Sequence, residues 1–512
     1  MEIWRLIAFI LYFVVVLVIG IWFFLRSKSG GEKEYFLGGR SMGPWVTAMS
    51  AQASDMSGWL LMGFPGAIFA FGLGQVWIGI GLAAGTIANW VLVARRLRRF
   101  SAASGDSITL PQYLTNRFAT QNPALKITCA VIFLISFTIY VASAFNAGTA
   151  VFTKVLPWLE GKELLAMAIF AAIVLVYTFL GGYKAVCWTD FFQGLLMLCA
   201  LLIVPIVMAV GDFDGSFSGA FADNVTAFHA NPFTASFGDI VSGLGWGLGY
   251  FGMPHILVRF MAIKDAKMVK KSAIVACTWV VLTLGAAIVI AILGRTFLLS
   301  DGSSLAEKLL PKGNQQNIFI EVVVDMFPGF LAGLLLAGII AASMSTADSQ
   351  LLVASSSFTS DLYQPMIRKN KASERETLWV GRIVVAAVTL IAFAIAASGI
   401  GKENSWASNI MAMVENAWGL FGAAFGPAVI LSLFWRRFNY AGALVGIVTG
   451  AAVDLVWLFT LTDITGIYEI VPGFILGGAA AIIATLLTKA PAAEVTAIYD
   501  AATAESTDAA NA

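Results

Sequence analysis

Three short stretches of this chain gather the residue types that bind small cations and polar solutes. The first is Ser50-Ala-Gln-Ala-Ser-Asp-Met-Ser-Gly58, where Asp55 stands among serine, alanine and glycine inside an apolar run. A carboxylate near the centre of a membrane span costs about 2.5–3.5 kcal/mol to insert, so it is a functional candidate by default. Glycine and serine at this density weaken a helix, and carbonyls freed from helical pairing suit hard cations. The second stretch is Ala341-Ala-Ser-Met-Ser-Thr-Ala-Asp-Ser-Gln350. There Ser345 and Thr346 offer hydroxyls, and Ala342 lies one turn earlier on the same face. Hydroxyls of this kind also bond back to their own helix. Paired with the first stretch, they form a plausible two-helix sodium site.

The third stretch, Ser242-Gly-Leu-Gly-Trp-Gly-Leu-Gly-Tyr-Phe-Gly-Met-Pro254, sets Trp246 and Tyr250 four residues apart on one helical face. Aromatic faces beside an unwound helix pack the apolar body of a solute and attract its amine. Close helix packing through small residues is the other reading of these glycines. Tyr140 is a weaker aromatic candidate, and Asp190, Asp348, Glu415 and Asp454 are further acids in apolar surroundings. Ser345, Asp348 and Ser349 share a face at spacings of three and four.

Other chemistries lack their residues. The chain has two histidines and no GxxxxGK[ST] loop, which excludes a histidine metal centre and direct ATP coupling. Four cysteines fall in or beside apolar segments without metal-ligand spacing and read as small buried hydrophobes. No enzymatic activity is expected, and nothing points to nucleic acid or to an obligatory protein partner.

The elements that position these stretches are membrane spans. Of 512 residues, 59% are hydrophobic and 12% charged, against about 45–50% and 25% in soluble domains. Apolar blocks mark spans 1 to 13 near 6–25, 44–71, 75–94, 127–152, 164–182, 189–210, 237–259, 273–297, 318–357, 378–400, 407–435, 440–461 and 467–488. The first block is too long for a signal-peptide core and reads as a retained span. Span 9 is expected to break around Pro328-Gly329. With the N-terminus outside, 24 of 31 Lys and Arg fall on the cytoplasmic side and 7 outside, as the positive-inside rule requires. The stretch after Ala490 lacks apolar periodicity and reads as a mobile cytoplasmic tail.

Spans 2 and 7 both look interrupted, and each opens a block of five. Matched interruptions in two halves point to an inverted-repeat transporter with its site at the midplane. The expected organisation is a first span and linker over 1–43, repeats over 44–210 and 237–435 flanking an extracytoplasmic loop at 211–236, two peripheral spans over 436–489, and a tail over 490–512.

Several runs carry a resemblance: Leu37-Gly-Gly-Arg-Ser-Met-Gly-Pro44, Ala53-Ser-Asp-Met-Ser-Gly-Trp-Leu-Leu-Met-Gly63, Gly245-Trp-Gly-Leu-Gly-Tyr-Phe-Gly-Met-Pro254, Met344-Ser-Thr346 and Tyr468-Glu-Ile-Val-Pro-Gly-Phe474. From about Tyr35 to Pro491 the chain resembles the sodium/solute symporter family, and within it the proline-carrying branch. The resemblance implies an all-α membrane fold of about thirteen helices with a five-plus-five inverted repeat, as in neurotransmitter symporters. It implies sodium-driven import of proline through alternating access in a bacterial cytoplasmic membrane. Sodium would be held by the backbone of Ala53, Met56 and Ala342 and the hydroxyls of Ser345 and Thr346. Asp55 and Ser57 would serve sodium and proline binding, while Tyr140, Trp246, Tyr250 and Pro254 would line the solute pocket. Arg40 matches an inner-side residue important for transport. Asp190 falls where some relatives supply a ligand for another ion, so Asp190, Asp348 and Ser349 are a candidate second cation site. Asp348 and Glu415 depart from the proline branch and bear on the number and kind of coupled ions. Pantothenate, another amino acid or a sugar are the alternative solutes, proton coupling the alternative drive, and a membrane sensor the alternative class.

Overall fold

The computed structural model describes residues 2–26, 36–180, 182–210, 231–402 and 405–504. Most of the expected outer loop at 211–236 lies outside the described residues, as do Lys28 and Lys33 of the first linker. Among the described residues, ten helices are long and apolar enough to cross a bilayer. They coincide with expected spans 1, 3, 4, 6 and 8–13. Span 5 is the shorter helix Glu163–Leu180, and spans 2 and 7 are broken.

Span 2 consists of Pro44–Asp55 and Phe64–Phe71, joined by a tight turn at Met56 and one wide π turn at Trp59–Gly63. Met56 has φ −91° and ψ 84°, and the Ser57 N–H closes onto the Asp55 carbonyl at 3.2 Å. That is an inverse γ-turn. Span 7 runs Phe237–Gly245, winds more tightly through Trp246–Phe251, and restarts as Pro254–Ala262. Pro254 occupies the first turn of the second half, where its missing N–H leaves no bond unmade.

Both readings of the span 7 glycines hold at once. Its helix tightens and then breaks at Gly252-Met253, and it also lies directly against span 3: a Cβ on Gly81 or Gly85 would run into the backbone at Gly243 or Gly247. Span 9 breaks where expected, with Ile318–Met326 and Gly329–Ser356 separated at Phe327-Pro328. Gly329–Ser356 is buried around nearly its whole circumference and packs against spans 1, 4, 6 and 10. Spans 12 and 13 pack as a pair through Gly446, Gly450 and Gly477. Outward faces stay apolar, with Leu390 66% and Phe459 79% exposed, as lipid contact requires.

The tail is a correction. Ala493–Thr503 is a helix seated on the inner helix Arg95–Ala103. Its Val495 and Ala502 are buried, its Tyr499 ring sits 5.3 Å from both the Phe100 ring and the Arg117 guanidinium, and Asp500 pairs with Arg436 at 2.6 Å. Short apolar anchors on an Ala-rich helix leave little periodicity, and the arginines that hold it belong to distant loops.

The glycine contact gives a test. Gly85→Val overpacks the span 3–span 7 interface and should destabilise the protein by about 1–3 kcal/mol. Gly285→Ala, whose Cβ would meet nothing within 4 Å, should be neutral or stabilising by up to about 1 kcal/mol. Thermal unfolding of both variants in detergent reads the difference.

Candidate cation and solute site

The end of the first half of span 2 gathers the largest set of converging donors. The Asp55 carbonyl, released from helical pairing, accepts from the Ser57 N–H at 3.2 Å, Trp59 Nε1 at 3.2 Å and the Tyr140 hydroxyl at 3.1 Å. Its carboxylate Oδ2 accepts from the Tyr250 hydroxyl at 2.6 Å, while Oδ1 has no hydrogen-bond partner. Tyr250 is positioned in turn by Asn89, whose Nδ2 donates to the Tyr250 carbonyl at 2.9 Å. Asp55 therefore ties spans 2, 4 and 7 together at a point where all three side chains are buried.

Two residues earlier, three of the five oxygens expected to hold sodium, those of Ala53, Ala342 and Ser345, draw together. Ser345 Oγ lies 2.8 Å from the Ala53 carbonyl and 3.1 Å from the Ala342 carbonyl. Thr346 Oγ1, next along span 9, is fully buried and has no hydrogen-bond partner. Clustered carbonyl and hydroxyl oxygens, one of them unsatisfied, fit a hard monovalent cation. Met56 contributes the turn that aims this backbone segment across span 2.

Above this level a cavity of about 830 Å3 reaches down to Trp246 and Glu415. Its mouth is formed by residues that the charge count puts outside, among them Glu163, Lys312 and Lys402. The Trp246 ring is held by Tyr468 at 5.2 Å and Trp418 at 6.5 Å, and Trp418 Nε1 donates to the Trp246 carbonyl at 2.7 Å. Tyr250, Tyr140 and Ser57 lie buried below it, and Pro254 stands one turn beyond Tyr250.

The opposite face is closed by arginines. Arg40, held at a left-handed φ of 53° after Gly38-Gly39, donates to the Met261 carbonyl at 2.8 Å and the Ser107 carbonyl at 2.9 Å, and pairs with Asp106 at 2.7 Å. Non-glycine residues seldom adopt that backbone, and they persist there only where surroundings enforce it. Arg98 donates to the Ile263 carbonyl at 2.6 Å.

Asp190, Asp348 and Ser349 do come together, but around a cation of the chain itself. Arg259 Nη2 lies 3.1 Å from Asp190 Oδ2 and 2.5 Å from Ser349 Oγ, and Asp348 Oδ1 accepts from Ser349 at 3.3 Å. Ser50 Oγ adds a bond to Asp190 at 2.6 Å. Arg259 thus lies within bonding distance of two of the three residues expected to hold a second ion. Arg259, the last residue of expected span 7, is 1% exposed inside the bundle. Trp59, Asn89, Trp418 and Tyr468 were given no role by the sequence reading; a side chain that only braces a functional aromatic or carbonyl has no spacing of its own to reveal it.

Residues 35–450 match the sodium:solute symporter family. The chain is 41% identical over 493 residues to the sodium/proline symporter of Escherichia coli, covering 95% of this chain and 94% of that protein. It is 40% identical over 496 residues to the osmoregulated proline transporter of Bacillus subtilis, covering 96% of each. Among solved structures, a sodium-coupled sialic acid symporter in a substrate-bound outward-open state superposes with a TM-score of 0.75 at 21% identity, over 96% of this chain and 99% of that one.

The buried pair at Arg259 gives the next prediction. Arg259→Ala strands Asp190 without its cation and should cost about 3–5 kcal/mol, whereas replacing both by apolar residues should cost far less. Unfolding temperatures of Arg259→Ala and the double variant Arg259→Met/Asp190→Leu, compared in detergent, check the order.

Proposed function

The chain belongs to the sodium:solute symporter family, and on that premise we propose that it imports L-proline with sodium through alternating access. It is a multi-pass membrane transporter rather than an enzyme, and sodium is the coupling ion. The observation that carries the substrate reading is continuity. The outer cavity ends on Trp246, one turn from Tyr250, whose hydroxyl holds Asp55, two residues from the Ala53 carbonyl in the oxygen cluster. The names of both relatives, proline transporters at about 40% identity, point to the same solute.

On this reading Ala53, Met56 and Ala342 lend carbonyls and Ser345 and Thr346 lend hydroxyls to sodium. Asp55 adds its negative charge nearby and couples the ion to the solute pocket through Tyr250. Ser57, Tyr140, Trp246, Tyr250 and Pro254 receive the solute, with the aromatic rings packing the pyrrolidine and facing its cationic nitrogen. Sodium seated between spans 2 and 9 holds them together while the outer cavity closes. Opening inward then breaks the Arg40 and Arg98 bonds to carbonyls at the inner face. One charge falling through 100 mV supplies about 2.3 kcal/mol, and a tenfold sodium gradient about 1.4 kcal/mol more. Together they concentrate a zwitterion roughly 500-fold per coupled ion.

The topology proposed with this function has thirteen spans. Spans 2–6 over 44–210 and 7–11 over 237–435 form inverted repeats, and spans 12 and 13 over 436–489 are peripheral. The N-terminus lies outside and the C-terminus in the cytoplasm, across a bacterial cytoplasmic membrane.

Uptake of radiolabelled proline into proteoliposomes tests the proposal directly. A sodium gradient should drive accumulation, and excess unlabelled proline, but not pantothenate or glucose, should compete. Competition by either of those two moves the solute elsewhere. Asp55→Asn should abolish sodium-driven uptake in a folded protein, and Ser345→Ala or Thr346→Ala should raise the sodium concentration needed for half-maximal uptake. Trp246→Ala should weaken proline binding by about 1–2 kcal/mol, read as a rise in KM.

A further inference from the structure

The winding of span 7 decides how its two aromatic residues stand. In an α-helix, residues four apart are turned from each other by about 40° and share a face. In the tighter 3-10 winding of Trp246–Phe251, with about three residues per turn, the same spacing turns them by about 120°. Trp246 and Tyr250 are therefore splayed, and Gly249 falls in line with Trp246 one turn on. A ring from another span fills the gap. Trp418 of span 11 stacks on Trp246 at 6.5 Å and meets Tyr250 edge-on at 5.0 Å. Its Nε1 donates to the Trp246 carbonyl at 2.7 Å. The indole occupies the space that a side chain at 249 would need, since a Cβ on Gly249 would run into Trp418 Nε1. Gly422, one turn further along span 11, lets the two helices close: its Cβ would stand 2.8 Å from Gly249 Cα.

Each aromatic wall is thus tied from outside span 7. The Tyr250 carbonyl accepts from Asn89 of span 3 at 2.9 Å, and its hydroxyl donates to Asp55 of span 2 at 2.6 Å. Trp246 is tied by Trp418 and packed by Tyr468 at 5.2 Å. Trp418 touches both walls at once, and it is carried by the helix Ile410–Phe434. Trp246 lines the cavity, whereas Trp418 is 1% exposed behind it. Its influence on a solute therefore passes through the two rings it touches. Interiors are close-packed, and neighbours of a deleted side chain relax part of the way into the space it leaves.

We propose that Trp418 is a positioning residue that sets the spacing of Trp246 and Tyr250 and thereby selects the solute by ring size. With the indole in place, the two walls stand at the separation that a five-membered ring fills. Without it they relax backwards into the vacated volume. A five-membered ring then loses contact on one side, and a six-membered ring fills the wider gap. The same relaxation reaches the ion. Tyr250 carries the donor to Asp55, so an unbraced Tyr250 loosens the carboxylate beside the Ala53 and Ser345 oxygens. The proposal rests on the proline reading for its choice of solute, and it adds a selectivity determinant that has no contact with the solute itself.

The test compares the full chain with its Trp418→Phe and Trp418→Leu variants in proteoliposomes at a fixed sodium gradient. Piperidine-2-carboxylate, the six-membered homologue of proline, serves as competitor. Trp418→Phe keeps a ring and loses the N–H; it should raise the KM for proline about threefold to tenfold with Vmax little changed. Relative to unlabelled proline, the six-membered competitor should gain about tenfold in the variants, one methylene's worth of fit. An unchanged competitor ratio overturns the proposal, and a fall in Vmax alone marks a merely structural tryptophan. If Trp418→Leu does not fold, Trp418→Phe carries the comparison, because its ring fits within the space of the indole. A second measurement needs no solute. Sodium should raise the unfolding temperature in detergent, and the concentration giving half of that rise should be higher in Trp418→Phe than in the wild type. Equal sodium dependence overturns the bracing of Tyr250. Absence of sodium-driven proline uptake in the wild type, with the sodium difference intact, sinks the proline reading and leaves the positioning role standing.

Discussion

A backbone carbonyl that leaves a helix inside a membrane must find another donor, because no water is there to supply one. The Asp55 carbonyl is such a group, and three donors from spans 2 and 4 converge on it. Much of the site follows from this repair. Turning the chain at Met56 releases the carbonyl and starts a fresh half-helix across the bundle, with the Ala53 carbonyl facing span 9 just before the turn. Tyr140 and Trp59 serve here as structural donors to that carbonyl. A break that was merely unwound would cost several kcal/mol for each orphaned group; one that is fully repaired becomes a rigid ligand frame.

The two faces of the membrane are closed by different chemistry. On the outer side the path to the site ends on stacked aromatics, Trp246 with Trp418 and Tyr468. On the inner side it ends on guanidinium groups bonded to backbone carbonyls at helix ends and turns, such as Arg40 on Met261 and Arg98 on Ile263. Bonds of that kind exchange readily for water, so an inner face built from them can open without leaving buried groups unpaired. Rings are held by packing and yield to a solute that replaces their apolar contact. The described conformation has a cavity that reaches Trp246 from one end of the bundle and arginine–carbonyl bonds across the other.

How much of this was legible in the sequence depends on the kind of interaction. The interruptions of spans 2 and 7 were legible because glycine and serine weaken helices wherever they cluster. The position of the turn at Met56 within the Ser50–Gly58 stretch was not, since it is set by donors on another span. Ser345 and Thr346 stood out by type and Ala342 by its place one turn earlier, while Ala53, contributing only backbone, entered through the family resemblance alone. The role of Arg259 was not legible, because a positive charge near a span end is ordinarily exposed and its burial depends on Asp190, 69 residues away. The tail helix was hidden for a related reason, as its anchoring partners Arg117, Phe100 and Arg436 lie far back in the chain.

The treatment of Asp190 and Asp55 shows why one buried acid is suited to coupling and the other to structure. Asp190 has a guanidinium within 3.1 Å and a serine at 2.6 Å, so its charge is already balanced and an arriving cation gains little there. Asp55 has a phenol on one oxygen and nothing on the other. A neutral donor stabilises a carboxylate without cancelling its charge, so the electrostatic reward for a nearby cation stays available. The oxygen cluster beginning two residues away at Ala53 offers sodium a seat where that reward is felt without direct ligation. Binding there lowers the cost of keeping Asp55 ionised and firms the acceptor on which Tyr250 depends. On the proposed reading, the ion prepares the Tyr250 side of the solute pocket before the solute arrives. By thermodynamic reciprocity a solute that favours the same Tyr250 position tightens sodium by an equal factor.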